Sequence, residues 1–228
     1  MPVLQACTSS HVQSNSELKA AKPVKDLPQA SYAMPDKYAA RVVHEILDDG
    51  GNAVDAAIAA AFVLAVTFPE AGNIGGGGFM LAHMDGENHF LDYREKAPLT
   101  ASRDMYLDAD GRVVDKASLV GIRAAGVPGT VAGLWKAHKK FATKSWASLL
   151  EPAIGYAESG FEVHPKKAKA IEDTISWFDG QVNFAKYFGV MAEGGVFKQA
   201  DLAATLKRIA EHGPVSYTHL TLPTILLV

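Results

Sequence analysis

Arg94 is the residue whose chemistry is best suited to holding a substrate. In the segment LDYREKAP it follows a short apolar stretch and precedes Glu95. A guanidinium is permanently charged, and its flat fork of donors matches the two oxygens of a carboxylate. The same group could form a structural ion pair with Asp92 or Glu95, as most arginines near carboxylates do. The residues alone leave both interpretations open.

The sequence contains no comparable motif for binding a metal ion or a phosphate group. The eight histidines include no HExxH pair, and a single cysteine cannot build a zinc framework. His83 and His89 flank a predicted turn, but no carboxylate is spaced to complete a set of metal ligands. The run Gly75–Gly78 lacks the Lys-Ser/Thr ending of a phosphate loop, and the later DADG segment places Tyr106 where calcium needs its first ligand. We therefore expect no metal and no cofactor.

The composition is that of an ordinary globular protein, with 48% hydrophobic and 21% charged residues among 228. The net charge is −3, from 22 basic and 25 acidic residues, and no basic run stands out. This pattern argues against nucleic acid as a partner.

The helix that must support Arg94 begins a little after Gly50. Asn52 caps a predicted apolar helix from Ala53 to about Val66, and Asp55 is placed to serve the amides of its first turn. Almost all its side chains are apolar, which predicts burial on most sides. The glycines that follow allow the backbone to approach another segment closely.

A predicted hairpin leads from these glycines to Arg94. Its first strand is Phe79–Met84, its turn is Asp85–Asn88, and its second strand runs from His89 to Tyr93. The first strand is a continuous apolar run, which predicts that it is covered on both faces. Arg94 stands where the second strand ends.

Periodic apolar residues predict further helices along the chain. Asp36 caps the first of them, Thr130 caps one that ends near Phe141, and Asp201 caps the last. The remaining predictions are a helix over Trp146–Ser159 that is interrupted near Pro152, and one over Pro165–Ile171 whose lysines Lys166, Lys167 and Lys169 face solvent.

Four motifs resemble the large subunit of gamma-glutamyltranspeptidases, which are glutathione hydrolases. They are GGNAVDAAIAAAF, IGGGGFML, LDYREKAP and GVPGTVAGLWKAHKKF, and the resemblance covers residues 31–214. It implies an α+β fold, the incomplete N-terminal portion of a four-layer αββα sandwich of the N-terminal-nucleophile hydrolase type. It also implies that the precursor is a zymogen that cuts itself into two subunits.

The resemblance also implies a role for each part of the site. Arg94 matches the family's arginine that holds the α-carboxylate of the γ-glutamyl group of glutathione. The nucleophile is the N-terminal Thr of the small subunit, which lies beyond this chain, so we expect this chain alone to be inactive and to fold poorly. Alternatives are a related amide hydrolase, such as a cephalosporin or glutaryl acylase or a capsule depolymerase, and a non-catalytic γ-glutamyl-binding module.

The two ends of the chain differ from the rest. Residues 1–30 hold LQAC, which resembles a bacterial lipobox ending at Cys7, followed by a polar tether. We therefore expect a lipid anchor at Cys7 and a periplasmic or membrane-anchored protein on the periplasmic side of a bacterium. Residues 215–228 begin VSYTHLTLPT, which departs from the family and resembles translated sequencing-adapter read-through. We expect this tail to be non-native and to lack stable packing.

Overall fold

The computed structural model describes residues 30–178 and 184–218, which fold into eight α-helices, two short 3-10 helices (Ile122–Ala124 and Ile175–Phe178) and four short strands. The helices are α1 (Lys37–Asp48), α2 (Ala53–Thr67), α3 (Thr130–Phe141), α4 (Trp146–Ser159), α5 (Pro165–Thr174), α6 (Phe184–Phe188), α7 (Ala200–His212) and α8 (Val215–Thr218). The strands are β1 (Phe79–Met84), β2 (Glu87–Asp92), β3 (Phe161–Glu162) and β4 (Val196–Phe197), paired antiparallel as β1–β2 and β3–β4. None of the helices in these residues combines the length and the hydrophobicity that a membrane span requires.

Helix α2 is the centre of the core, with α1 and α4 packed against it. Ile58, Phe62 and Val63 are fully buried, as the apolar composition of this helix predicts. The predicted cap is also present: the Asn52 side chain accepts from the N–H of Val54 at 2.8 Å, and the Asp55 carboxylate accepts from the N–H of Asn52 at 2.8 Å. The two residues form a capping box.

Asp55 also joins α2 to the segment between α3 and α4. Its carboxylate accepts from the Thr143 hydroxyl at 2.6 Å and from the N–H groups of Thr143 and Lys144 at 3.0 and 3.1 Å. Burial alone would raise the pKa of Asp55, but these hydrogen bonds and the one from the N–H of Asn52 outweigh it and lower the pKa. Hydrogen bonds from the protein therefore replace water around the buried Asp55 carboxylate.

The β1–β2 hairpin is tighter than predicted and covered on one face only. Asp85 and Gly86 have φ of 52° and 80°, so two residues suffice for the turn and β2 begins at Glu87 rather than at His89. Alternate residues point inward, as Ala82 does, whereas Phe79 and Leu81 are 54% and 77% exposed. The prediction of cover on both faces is wrong for the described part of the chain, because no second layer lies over the outer face.

Three predicted helix features also need correction. Thr130 is the first residue of α3 rather than its cap, and α7 begins at Ala200, before Asp201. Asp201 stands instead in the first turn, where a carboxylate favours the positive end of the helix dipole. Helix α4 runs through Pro152 without interruption.

The prediction for Lys167 is wrong as well, because its side chain is only 11% exposed. It extends from α5 to the loop after α2, where its Nζ lies 3.0 Å from the Glu70 carboxylate and 4.2 Å from the centre of the Phe68 ring. An ion pair and a cation–π contact therefore tie α5 to the loop that leads into the glycine run.

The expected lack of packing after Pro214 is wrong for the described residues of the tail. The Ser216 hydroxyl donates to the carbonyl of Gly213 at 2.8 Å, and Tyr217 packs against the main core. Burial raises the pKa of Tyr217 to about 12. The segments 1–29 and 219–228, including Cys7, lie outside the described residues, so the expected anchor and the remainder of the tail stay predictions.

Candidate functional site

Arg94 lies two residues beyond β2, with its guanidinium open to solvent. Its Nε donates to the Glu95 carboxylate at 3.1 Å, and its backbone N–H donates to the Asp92 side chain at 3.0 Å. The Arg94 side chain is 67% exposed, against 35% for Glu95. Within residues 30–178 and 184–218 its two terminal nitrogens have no hydrogen-bond partner, so the outer edge of the fork remains free for an anion.

The ion pair with Glu95 fixes the guanidinium without using its terminal donors. The pKa of the Glu95 carboxyl is lowered by its own backbone N–H, and further by Arg94 and by the N–H of Gly77, while partial desolvation opposes the shift. The carboxylate therefore stays ionised beside Arg94. One arginine can thus serve in a structural pair and still present a binding edge.

The glycine run packs tightly against the segment that carries Arg94. Gly78 and Tyr93 exchange two backbone hydrogen bonds, at 3.4 and 3.0 Å. A Cβ placed on Gly77 would lie 2.6 Å from both the Glu95 nitrogen and the Tyr93 oxygen, a contact that backbone atoms cannot relieve. The glycines therefore allow the loop to lie directly against the chain on either side of Arg94.

The start of α3 closes the other side of this loop. The carbonyl of Gly76 accepts from the N–H groups of Gly129 and Thr130, at 2.8 and 3.1 Å. These bonds satisfy the N–H groups of the cap residue Gly129 and of Thr130, the first residue of α3. A Cβ on Gly129 would lie 1.9 Å from the carbonyl oxygen of Tyr93. The motifs IGGGGFML, LDYREKAP and GVPGTVAG thus meet at one place.

A cavity of about 350 Å³ opens beside Arg94. One wall is the segment after Arg94, and the opposite wall includes Arg123 and Gly126. Two backbone hydrogen bonds between Lys96 and Val127, at 3.1 and 2.8 Å, hold the walls together. Sequence reasoning missed Arg123, because it lies outside every recognised motif and reaches the site only through this long-range pairing.

The two hairpin histidines lie in different surroundings. His83 pairs with Asn88 in the ladder and His89 pairs with Ala82, so the two imidazoles lie on opposite faces. His83 bonds the Asn88 side chain at 2.8 Å, and His89 lies 3.2 Å from the Lys140 ammonium. Among the residues that the structure describes, no group of three or more His, Cys, Asp or Glu side chains could hold a metal ion.

Comparison with known proteins identifies the family of this chain. The family model described as gamma-glutamyltranspeptidase matches residues 39–219. The glutathione hydrolase proenzyme of Pseudomonas aeruginosa is 58% identical over 188 residues, which are 82% of this chain and 34% of that protein. The chain therefore spans about a third of the length of this curated relative.

Solved structures share the fold. Gamma-glutamyltranspeptidase from Pseudomonas nitroreducens, complexed with L-DON, superposes with a TM-score of 0.84 at 54% identity, covering 89% of this chain and 60% of that one. A cephalosporin acylase from Bacillus halodurans gives 0.68 at 27% identity, covering 85% and 40%. These matches confirm the predicted α+β class and its type. With its three motifs assembled around Arg94, the chain belongs to the gamma-glutamyltranspeptidase family.

Proposed function

We propose that this chain is the N-terminal part of a glutathione hydrolase and γ-glutamyltransferase. The supporting observation is the guanidinium of Arg94, which is exposed at the rim of the glycine loop and keeps its terminal donors free. The proenzyme name of the P. aeruginosa relative supports a zymogen that is processed into two subunits.

In this proposal Arg94 binds the α-carboxylate of the γ-glutamyl donor. The bidentate pair fixes the position of the glutamyl group, so that its γ-carbonyl carbon meets the nucleophile in one orientation. The nucleophile is the N-terminal Thr of the small subunit, whose α-amine takes the hydroxyl proton during attack. The leaving amine departs with a proton, and water or another amine then attacks the γ-glutamyl ester to release the product and the Thr hydroxyl.

The remaining part of the sandwich packs, in this proposal, on the outer face of the β1–β2 hairpin. This face carries Phe79, Leu81 and Phe90, which are all more than half exposed, and the two Phe rings stack with centroids 5.8 Å apart. Burying each of these side chains would stabilise the assembly by roughly 1.5–3 kcal/mol. The 228-residue chain alone is then inactive and prone to associate through this face.

A related amide hydrolase is the principal alternative, because the cephalosporin acylase shares the fold. The higher identity to the glutathione hydrolase proenzyme favours the γ-glutamyl reaction. A non-catalytic γ-glutamyl-binding module would keep Arg94 and lack the Thr nucleophile.

The deciding experiment expresses the complete gene and assays the purified protein on glutathione, a γ-glutamyl anilide, glutaryl-7-aminocephalosporanic acid and poly-γ-glutamate. We expect self-cleavage at a Thr and turnover of the first two. Turnover of only the cephalosporin or the polymer would favour the alternative hydrolases. Binding of glutathione without any turnover would favour the binding module.

We also propose that the protein is exported and anchored through Cys7, because LQAC precedes a polar stretch. Mass spectrometry of the protein from its host should find a lipid-bearing N-terminal Cys. An unmodified protein in the cytoplasm would contradict this proposal.

A further inference from the structure

Arg123 places a second guanidinium at the cavity beside Arg94. Lys96 also lines this cavity, and the one carboxylate among the lining residues, Glu95, already accepts a hydrogen bond from Arg94. The excess of positive charge favours an anionic ligand. The volume of about 350 Å³ lies within the usual range of small-molecule sites.

The backbone and side chain of Arg123 are both held in place. Its Nη1 donates to the carbonyl of Met105 at 3.0 Å, and its own carbonyl accepts from the Tyr106 hydroxyl at 3.1 Å. In the described part of the chain, Nε and Nη2 of Arg123 have no hydrogen-bond partner. An arginine that is fixed at one nitrogen and free at two others is prepared for a carboxylate, because less side-chain entropy is lost on binding.

The segment that follows Arg123 is also held against the segment that follows Arg94. Gly126 packs so closely on Glu95 that a Cβ on the glycine would lie 3.0 Å from the Glu95 Cβ. The next residue of each segment, Lys96 and Val127, is paired by backbone hydrogen bonds. The backbone segments that carry Arg94 and Arg123 are therefore held side by side at this cavity.

We infer that Arg123 binds a second carboxylate of the donor, on the leaving-group side of the scissile amide. This inference rests on the proposed function, in which Arg94 holds the α-carboxylate. A γ-glutamyl group has no other free carboxylate, because its γ-carboxyl is the amide. Any further negative charge must therefore lie on the leaving group. The substrate class is γ-glutamyl peptides that end in a free carboxylate, and Arg123 is a determinant of specificity for them.

The test compares two donors in the complete, processed enzyme, without an added acceptor amine. They are glutathione and glutathione whose glycine carboxylate is converted to the amide. We expect kcat/KM to be about fivefold or more higher for the free acid. In Arg123→Gln this ratio should fall close to one, and 0.5 M salt should lower it in the unsubstituted enzyme. Arg112→Gln, which removes an exposed arginine paired with Asp110, should keep the full ratio.

The ratio of kcat/KM for the free acid to that for the amide distinguishes lost binding from structural damage, because a misfolded or unprocessed fraction lowers the rates for both donors alike. An unchanged ratio in Arg123→Gln would overturn the inference while leaving the proposed function intact. An unsubstituted enzyme that hydrolyses neither donor would overturn both. An unsubstituted enzyme that hydrolyses both donors equally well would overturn the inference alone.

Discussion

Gly133 faces the ring of Tyr93 so closely that a Cβ on the glycine would lie 2.2 Å from Cγ of the tyrosine. Tyr93 directly precedes Arg94, and Gly133 lies in the first half of α3, so this contact sets the distance between the helix and the backbone of Arg94. The Cβ and Cγ atoms of Tyr93 cannot move away from the helix, because the Tyr93 backbone is also held by its two hydrogen bonds to Gly78.

We predict that Gly133→Ala destabilises the protein although alanine favours helices. The gain in helix propensity is about 1 kcal/mol, whereas a contact of 2.2 Å with Tyr93 places the cost of overpacking in the upper part of its usual range, about 2–3 kcal/mol. Urea unfolding of the complete protein followed by circular dichroism should show a net loss of about 1–2 kcal/mol. Gly155→Ala in α4 is the matched control, because nothing lies within 4 Å of an added Cβ there, and it should stabilise. Equal stabilisation by both substitutions would contradict the prediction.

Asp55→Asn should remove about 3 kcal/mol from the free energy of unfolding at neutral pH. The substitution takes away a buried carboxylate that accepts from three residues and leaves donors without a charged acceptor. Asp110→Asn, on an exposed residue, should change the free energy by less than about 0.5 kcal/mol. A similar small effect of both substitutions would show that the Asp55 network is not stabilising.

The same carboxylate predicts a dependence of stability on acid. The pKa of Asp55 is lower in the folded protein than in the unfolded chain. Its contribution is therefore complete above the unfolded pKa of about 3.9 and is lost as the pH falls through the lowered, folded pKa. Urea titrations between pH 6 and pH 3 should show a shallower acid loss in Asp55→Asn than in the unsubstituted protein. If the free energies of unfolding of the two proteins fell in parallel with pH, Asp55 would not be the source of this acid dependence.

Lys167→Met should cost about 1–2 kcal/mol, because it keeps the apolar stem but leaves Glu70 unpaired and Phe68 without its cation. Lys169→Met, on an exposed lysine of the same helix, should leave the free energy of unfolding nearly unchanged. Chemical unfolding measures both, and protease cleavage within residues 68–74 should be faster in Lys167→Met alone. Equal losses of stability for the two lysines would mean that the contacts of Lys167 with Glu70 and Phe68 do not stabilise the protein.

Arg94→Ala in the complete enzyme should lower kcat/KM for glutathione by about 2–5 kcal/mol in transition-state free energy, because the donor carboxylate would lose its paired charge. Arg94→Lys should restore only part of the activity, since a point charge cannot reproduce the fork. For a donor that lacks the α-carboxylate, kcat/KM should be almost unchanged by both substitutions. Activity of Arg94→Ala within a few-fold of the unsubstituted enzyme, with normal self-cleavage, would leave Arg94 as an ion-pair partner of Glu95.

Local signals in the sequence account for much of the fold. Asn52 and Asp55 are three residues apart at the start of an apolar run, so the capping box could be predicted. The hairpin that precedes Arg94 follows from its turn residues. The cover on one face of β1 could not be predicted, because an apolar run indicates burial without saying which layer provides it. The same limit applies to Lys167 and Arg123, whose partners are brought close only by tertiary structure.

The stacked Phe79 and Phe90 face has a consequence for the order of events during synthesis. If the residues that cover this face are made later, the ribosome delivers the hairpin well before its cover exists. At about 5–20 residues per second, the roughly 300 or more residues still to be made in a protein of the relatives' length leave the face open for tens of seconds. A holdase that binds exposed aromatic side chains would then act on this nascent chain, and its absence would lower the yield of enzyme without changing the activity of each molecule that folds.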